Sequence, residues 1–63
     1  MSDARVTNMG SIYTVGLLTN KARLWVDENM DPEARFFGDE LIVEHGYIYD
    51  LVKGMVTDGL EVV

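Results

Sequence analysis

The hydrophobic pattern is clearest in the last third of the chain, Glu40 to Val63. Leu41, Ile42 and Val43 form a short apolar run between Glu40 and Glu44, with Gly38-Asp39 before it and His45-Gly46 after it. β-Branched residues bounded by turn formers predict a strand. The period then changes. Ile48, Leu51, Val52 and Met55 fall at i, i+3, i+4 and i+7, one stripe of an amphipathic helix, while Asp50, Lys53 and Thr57 lie on its other side. Asp50 and Lys53 are spaced to pair. Gly59 sits where a left-handed glycine ends a helix. Leu60, Val62 and Val63 then resume an extended pattern. Gly54, inside the helix, costs about 1 kcal/mol relative to alanine, and its presence predicts a close approach of helix to sheet.

Upstream, Ile12 to Leu18 reads as the first strand. Ile12, Thr14, Gly16 and Leu18 share one face and Tyr13, Val15 and Leu17 the other. Two mainly apolar faces predict a central position or burial on both sides. Thr19 or Asn20 is placed as an N-cap. A helix follows to about Asn29, with Leu18, Ala22, Trp25 and Val26 on its inner face, Met30 extending that face, and Arg23 and Asp27 paired at i, i+4. Trp25 reads as a core anchor. Asp31-Pro32 ends this helix. Pro32 to Arg35 is expected to form one short helical turn, and Phe36 and Phe37 to tuck one or both rings under the sheet. Met1 to Ser11, with Ser, Asp, Asn and Gly and little periodicity, reads as a flexible N-terminal arm. The resulting expectation is an α/β (α+β) two-layer sandwich in the order β-α-β-α-β. Two helices lie on one face of a three-stranded sheet, with residues 12–63 as the single compact domain. Strand order and direction stay open.

Length and composition narrow the picture. A chain of 63 residues makes one domain at most, and it buries roughly 60% of the surface it exposes when unfolded. There is no cysteine, hence no disulfide and no thiolate metal site. An apolar content of 48% supports a core. No apolar run reaches the ~18 residues needed to span a bilayer, and the N-terminus lacks the layout of a signal peptide. A cytoplasmic protein is expected.

Charge changes the picture most. The net charge is −6, and it is uneven. Residues 27–63 hold ten acids against Arg35 and Lys53, whereas residues 1–26 hold Asp3 against Arg5, Lys21 and Arg23. Such a surface disfavours direct binding to nucleic acid or to an anionic membrane, because phosphate contacts need cations. It favours a basic partner.

The residues for chemistry are sparse. His45 is the one imidazole, and zinc usually takes several nitrogen or sulfur ligands. A Ser–His–Asp arrangement would have to use Ser2 or Ser11, in or beside the N-terminal arm. The pairs Asp27/Glu28 and Asp39/Glu40 are adjacent in sequence, so their side chains diverge on a helix or strand. The six glycines form no phosphate-cradling loop. A non-enzymatic protein without cofactor or metal is expected. What remains is an acidic belt of Asp27, Glu28, Asp31, Glu33, Asp39, Glu40 and Glu44. Asp50, Asp58 and Glu61 are placed to extend it, and Tyr47 and Tyr49 to anchor a partner. Duplex DNA carries one negative charge per roughly 1.7 Å of axis. A rigid row of carboxylates presents a comparable surface to a basic groove.

Three phrases, LLTNKARLWVDEN, FFGDELIVEHGYI and VKGMVTDGLEVV, together resemble short proteins of bacteriophages and mobile elements. In overall character (tiny, acidic, cysteine-free, single-domain) the chain is similar to anti-CRISPR proteins, several families of which mimic DNA charge. That resemblance implies an inhibitor acting in a bacterial host, docked on the basic nucleic-acid-binding surface of a CRISPR effector complex. The alternative reading is a small structural or assembly protein of a phage or mobile element, dimeric through an apolar surface around Leu24, Phe36 or Phe37.

Overall fold

The computed structural model describes residues 1–29 and 35–63. It is an α+β fold in the order β-β-α-β-β-α: β1 (Ala4–Asn8), β2 (Ile12–Leu17), α1 (Asn20–Asn29), β3 (Phe36–Phe37), β4 (Glu40–Glu44) and α2 (His45–Thr57). The sheet has four strands in the order β1-β2-β4-β3, every neighbouring pair antiparallel. The expected three-stranded β-α-β-α-β layout is thereby corrected, although two helices do cover one face. The expectations for Met30 and for a turn at Pro32 lie outside the described residues.

Residues 4–8, expected to belong to an N-terminal arm, form a strand because they alternate. Ala4 and Val6 turn inward, opposite Leu17 and Val15, while Arg5 and Thr7 turn outward opposite Gly16 and Thr14. The reversal after β1 is closed by the Met9 N–H donating to the Ile12 carbonyl at 2.8 Å, with Gly10 at φ 96°. Only glycine reaches that region without strain. The β3–β4 turn is tighter: Phe37 faces Glu40, and Gly38 takes φ 64° while Asp39 stays negative. Glycine at the first of two central positions is the II′ hairpin pattern.

The strand expected at the C-terminus is reduced to one bridge. Val62 pairs parallel with Ala4, and the Val63 N–H donates to the Ala4 carbonyl at 3.0 Å. This segment covers the outer edge of β1.

Two crossovers explain why the sheet is covered on one side. The chain leaves β2 through α1 to reach β3, with β4 between them; it leaves β4 through α2 to reach Val62 at the opposite edge. β2 and β4 run in opposite directions, and the two crossovers shift in opposite senses. Right-handed connections then place both helices on the same face. The core lies there: Ala4, Val15 and Leu17 from the first hairpin, Leu41 and Val43 from β4, Ala22 and Val26 from α1, Leu51 and Met55 from α2, and Leu60. β2 is central, as its composition predicts, but only its Tyr13/Val15/Leu17 face is covered. Leu18, assigned from the pattern to the inner face of α1, is instead 47% exposed just past β2. Phe36 and Phe37 do not tuck under the sheet. They sit on the short edge strand, 47% and 77% exposed, because a two-residue strand at the rim has no layer above it.

Local signals set both helices. The Thr19 hydroxyl oxygen accepts from the Ala22 N–H at 3.2 Å, an N-cap for α1. α2 ends in a Schellman motif: the Leu60 N–H donates to the Met55 carbonyl at 2.9 Å and the Gly59 N–H to that of Val56 at 3.1 Å, with Gly59 at φ 91°. Leu60 and Met55 are both buried, which supplies the hydrophobic contact of the motif. The close approach foreseen at Gly54 is real but differs in partner. A Cβ there would lie 3.3 Å from the Trp25 ring, so the neighbour is α1 and not the sheet. Trp25 is half-buried rather than enclosed, and its indole N–H donates to Asp58 Oδ2 at 2.6 Å.

Gly59→Ala is expected to destabilise the fold by about 1–2 kcal/mol, the strain of placing a Cβ in left-handed backbone, read as a lower urea midpoint at unchanged m-value. Gly54→Val is expected to cost about 1–3 kcal/mol by overpacking and to change the Trp25 fluorescence of the folded state. A Gly54→Val variant of unchanged stability and emission would show that the helices are not in contact there.

Candidate functional site

The acidic residues arrive from two elements. Asp27 projects from the last turn of α1, while Asp39 and Glu40 sit at the II′ turn and the start of β4. The turn swings Asp39 toward α1. Asp27 and Asp39 line one cavity of about 190 Å³ with Arg23, Val26 and Phe36. Asp39 and Glu40 line a second, shallow depression of about 450 Å³ on the uncovered face of the sheet, with Arg5, Gly16 and Leu18. Asp39 and Arg23 border both. Asp27, Asp39 and Glu40 therefore meet at one end of the molecule, with the guanidiniums of Arg23 and, on the sheet side, Arg5 beside them.

The other members of the belt are placed differently. Glu28 is exposed on α1 and lines neither cavity. Glu44 is on the same sheet face as Glu40, but four residues along β4, roughly 13 Å away at strand rise. Asp31 and Glu33 lie outside the described residues. Of the acids named as extensions, Asp50 is exposed on α2, while Asp58 and Glu61 serve the scaffold instead. Asp58 accepts from Trp25, and Glu61 meets the N-terminal ammonium at 3.2 Å, the only ion pair among the described residues. Arg23 does not pair with Asp27; its guanidinium donates to Asn20 Oδ1 at 3.1 Å. Lys21 donates to the Gly59 carbonyl at 3.0 Å. Tyr47 and Tyr49 are exposed on α2.

One carboxylate escaped the pattern altogether. Asp3 accepts from the Thr19 hydroxyl at 2.8 Å and from the Glu61 N–H at 2.9 Å. It thus ties the N-terminus, the cap of α1 and the C-terminal segment together. The Asn8-Met9-Gly10-Ser11 turn would have revealed β1, but nothing local marks Asp3, since Glu61 is 58 residues away.

No other chemistry is assembled among the described residues. No group of three metal-ligating side chains converges there. His45 opens α2 with its ring tilted against Tyr13, centroids 4.8 Å apart. No helix among the described residues is long and apolar enough to cross a membrane. Comparison with protein-family models, with curated proteins and with solved structures gave no match.

The hydrogen bonds to Asp3, first the Glu61 backbone N–H and then the Thr19 hydroxyl, hold its carboxyl below the usual aspartate range. A folded-state value below the unfolded one adds stability that is complete above the unfolded value and lost as pH falls through the folded one. Thermal melts of the wild type are therefore expected to show a loss of stability, downward from about pH 4, that Asp3→Asn does not share. Parallel pH profiles for the two proteins would count against this junction.

Proposed function

We propose that this chain is a non-enzymatic binding protein that sets its acidic end against a basic, nucleic-acid-binding protein surface, as an inhibitor of the anti-CRISPR kind would. The observation that carries the reading is the position of Asp39. It borders both cavities and so joins Asp27 and Glu40 into one anionic patch. The carboxylates stand on a hairpin turn and a helix of a packed domain, so little ordering cost accompanies docking. Phe36 and Phe37 lie exposed on the adjoining edge. Aromatic anchors of this sort carry a large share of the energy in protein interfaces. An anionic patch competes for a groove built for phosphates without reading bases, because most protein–DNA affinity is directed at the backbone. The effector-complex partner and a bacterial cytoplasmic setting follow from the resemblance in character and from the net charge of −6.

The test is competition between this protein and duplex DNA for purified CRISPR effector complexes, read by mobility shift. Asp27→Lys/Asp39→Lys is expected to weaken inhibition at least tenfold, about 1.4 kcal/mol, while Glu28→Lys has a much smaller effect. Inhibition should also fall as salt rises, since the Debye length shortens to about 8 Å at physiological ionic strength. Failure of the wild type to displace DNA, or equal potency of the double variant, would reject the reading.

A further inference from the structure

From the uncovered face of the sheet we infer that two copies of this chain associate face to face, through a two-fold axis running along β2. Both helices occupy the opposite face, so nothing in the described chain covers this one. Its central strand presents Ile12, Thr14, Gly16 and, just beyond it, Leu18. None of these is charged. With the axis along β2 each meets its own counterpart, and no like charges are brought together on the axis.

The flanking strands make the face self-complementary. Arg5 on β1 and Glu40 on β4 both pair with Gly16, one on either side, in a single row across the sheet. A two-fold along β2 exchanges the two flanks. It therefore sets Arg5 of each copy over Glu40 of the other, and both pairs form at once. Within one chain these side chains are separated by the width of β2, about 9–10 Å at two strand spacings, and neither has an ion-pair partner among the described residues. The next row out of the axis places Thr7 over Ile42 of the other copy. The depression over Gly16, walled by Arg5 and Glu40, supplies room for the paired side chains. Sheets stacked with their strands within about 30° of one another pack in this way in β-sandwiches.

The inference goes beyond the proposed function. Asp27 lies outside the interface, whereas Asp39 and Glu40, which line the depression over Gly16, are shared by the two surfaces. Four strands about 4.8 Å apart make a face of modest width, smaller than the about 800 Å² per partner of a standard interface. The dimer is accordingly a weak one.

Sedimentation equilibrium of the full chain, carried to about 0.5 mM so as to cover a micromolar constant, tests it. The wild type is expected to approach twice its 7.1 kDa mass. Arg5→Glu opposes two carboxylates and Glu40→Arg two guanidiniums, so each should sediment as a monomer. The combined Arg5→Glu/Glu40→Arg exchange should restore the dimer. Thr14→Arg, which places like charges on the axis, should also be monomeric and stands in if either single variant fails to fold by circular dichroism. A monomeric wild type, dimeric single variants, or a combined exchange that stays monomeric while folded would each overturn the assignment. Thr14 lines neither cavity of the acidic end, so loss of the dimer in Thr14→Arg reads separately from loss of a basic partner.

Discussion

Everything in this domain depends on burying one face of the β2–β4 pair. Val15 and Leu41 face each other across the two strands, and both are fully enclosed. Met55 of α2 and Ala22 of α1 close over them and are also fully enclosed. Each buried apolar side chain is worth roughly 1.5–3 kcal/mol against exposure, while ordering the chain costs a comparable total. A domain this small has little surplus, so it cannot afford a second core on the other side of the sheet. The exposure of Leu18, Phe36 and Phe37 follows from that economy of size.

The ends of the chain are drawn into the same construction. A two-layer fold of this length leaves β1 as an edge, and edges invite uncontrolled pairing. Val62 and Val63 cover that edge by backbone hydrogen bonds, and Asp3 holds the crossing point by bonding Thr19 and Glu61. The cap of α1, the start of β1 and the last residues of the chain thus share one carboxylate. The Schellman turn at Gly59 aims the C-terminal segment back toward that junction. Helix termination, edge protection and the first helix cap are one connected feature.

The same geometry divides the acidic residues into two populations. Asp3, Asp58 and Glu61 are engaged with Thr19, Trp25 and the N-terminus and serve packing. Asp27, Asp39 and Glu40 have no such engagement among the described residues and gather at one end, where the β3–β4 turn meets α1. Their negative charge is offset locally by Arg23 and, on the sheet side, by Arg5. The patch is consequently compact and mixed at its border, a geometry suited to orienting a partner as well as attracting it.

The elements that depend on neighbours a few residues apart were legible in the chain. α2 follows from a stripe at helical period and a glycine at its end, the Thr19 cap from a hydroxyl before that helix, and β4 from three β-branched or branched apolar residues between turns. β1 was legible in principle, through the alternation of Ala4, Arg5, Val6 and Thr7, but five residues with two apolar side chains carry too little periodicity to outweigh an apparently polar arm. The sequence by itself determined β2, α1, β4 and α2, the inner faces of β4 and α2, the stop of α2 at Gly59 and the excess of negative charge after residue 26. Only the tertiary structure decided that the strands run antiparallel in the order β1-β2-β4-β3, that Phe36 and Phe37 stay outside, that Gly54 makes room for Trp25, and which carboxylates meet. These outcomes rest on contacts between residues far apart in the chain, whose formation is set by crossover handedness and packing volume. Neither leaves a signature in the spacing of residues along one segment.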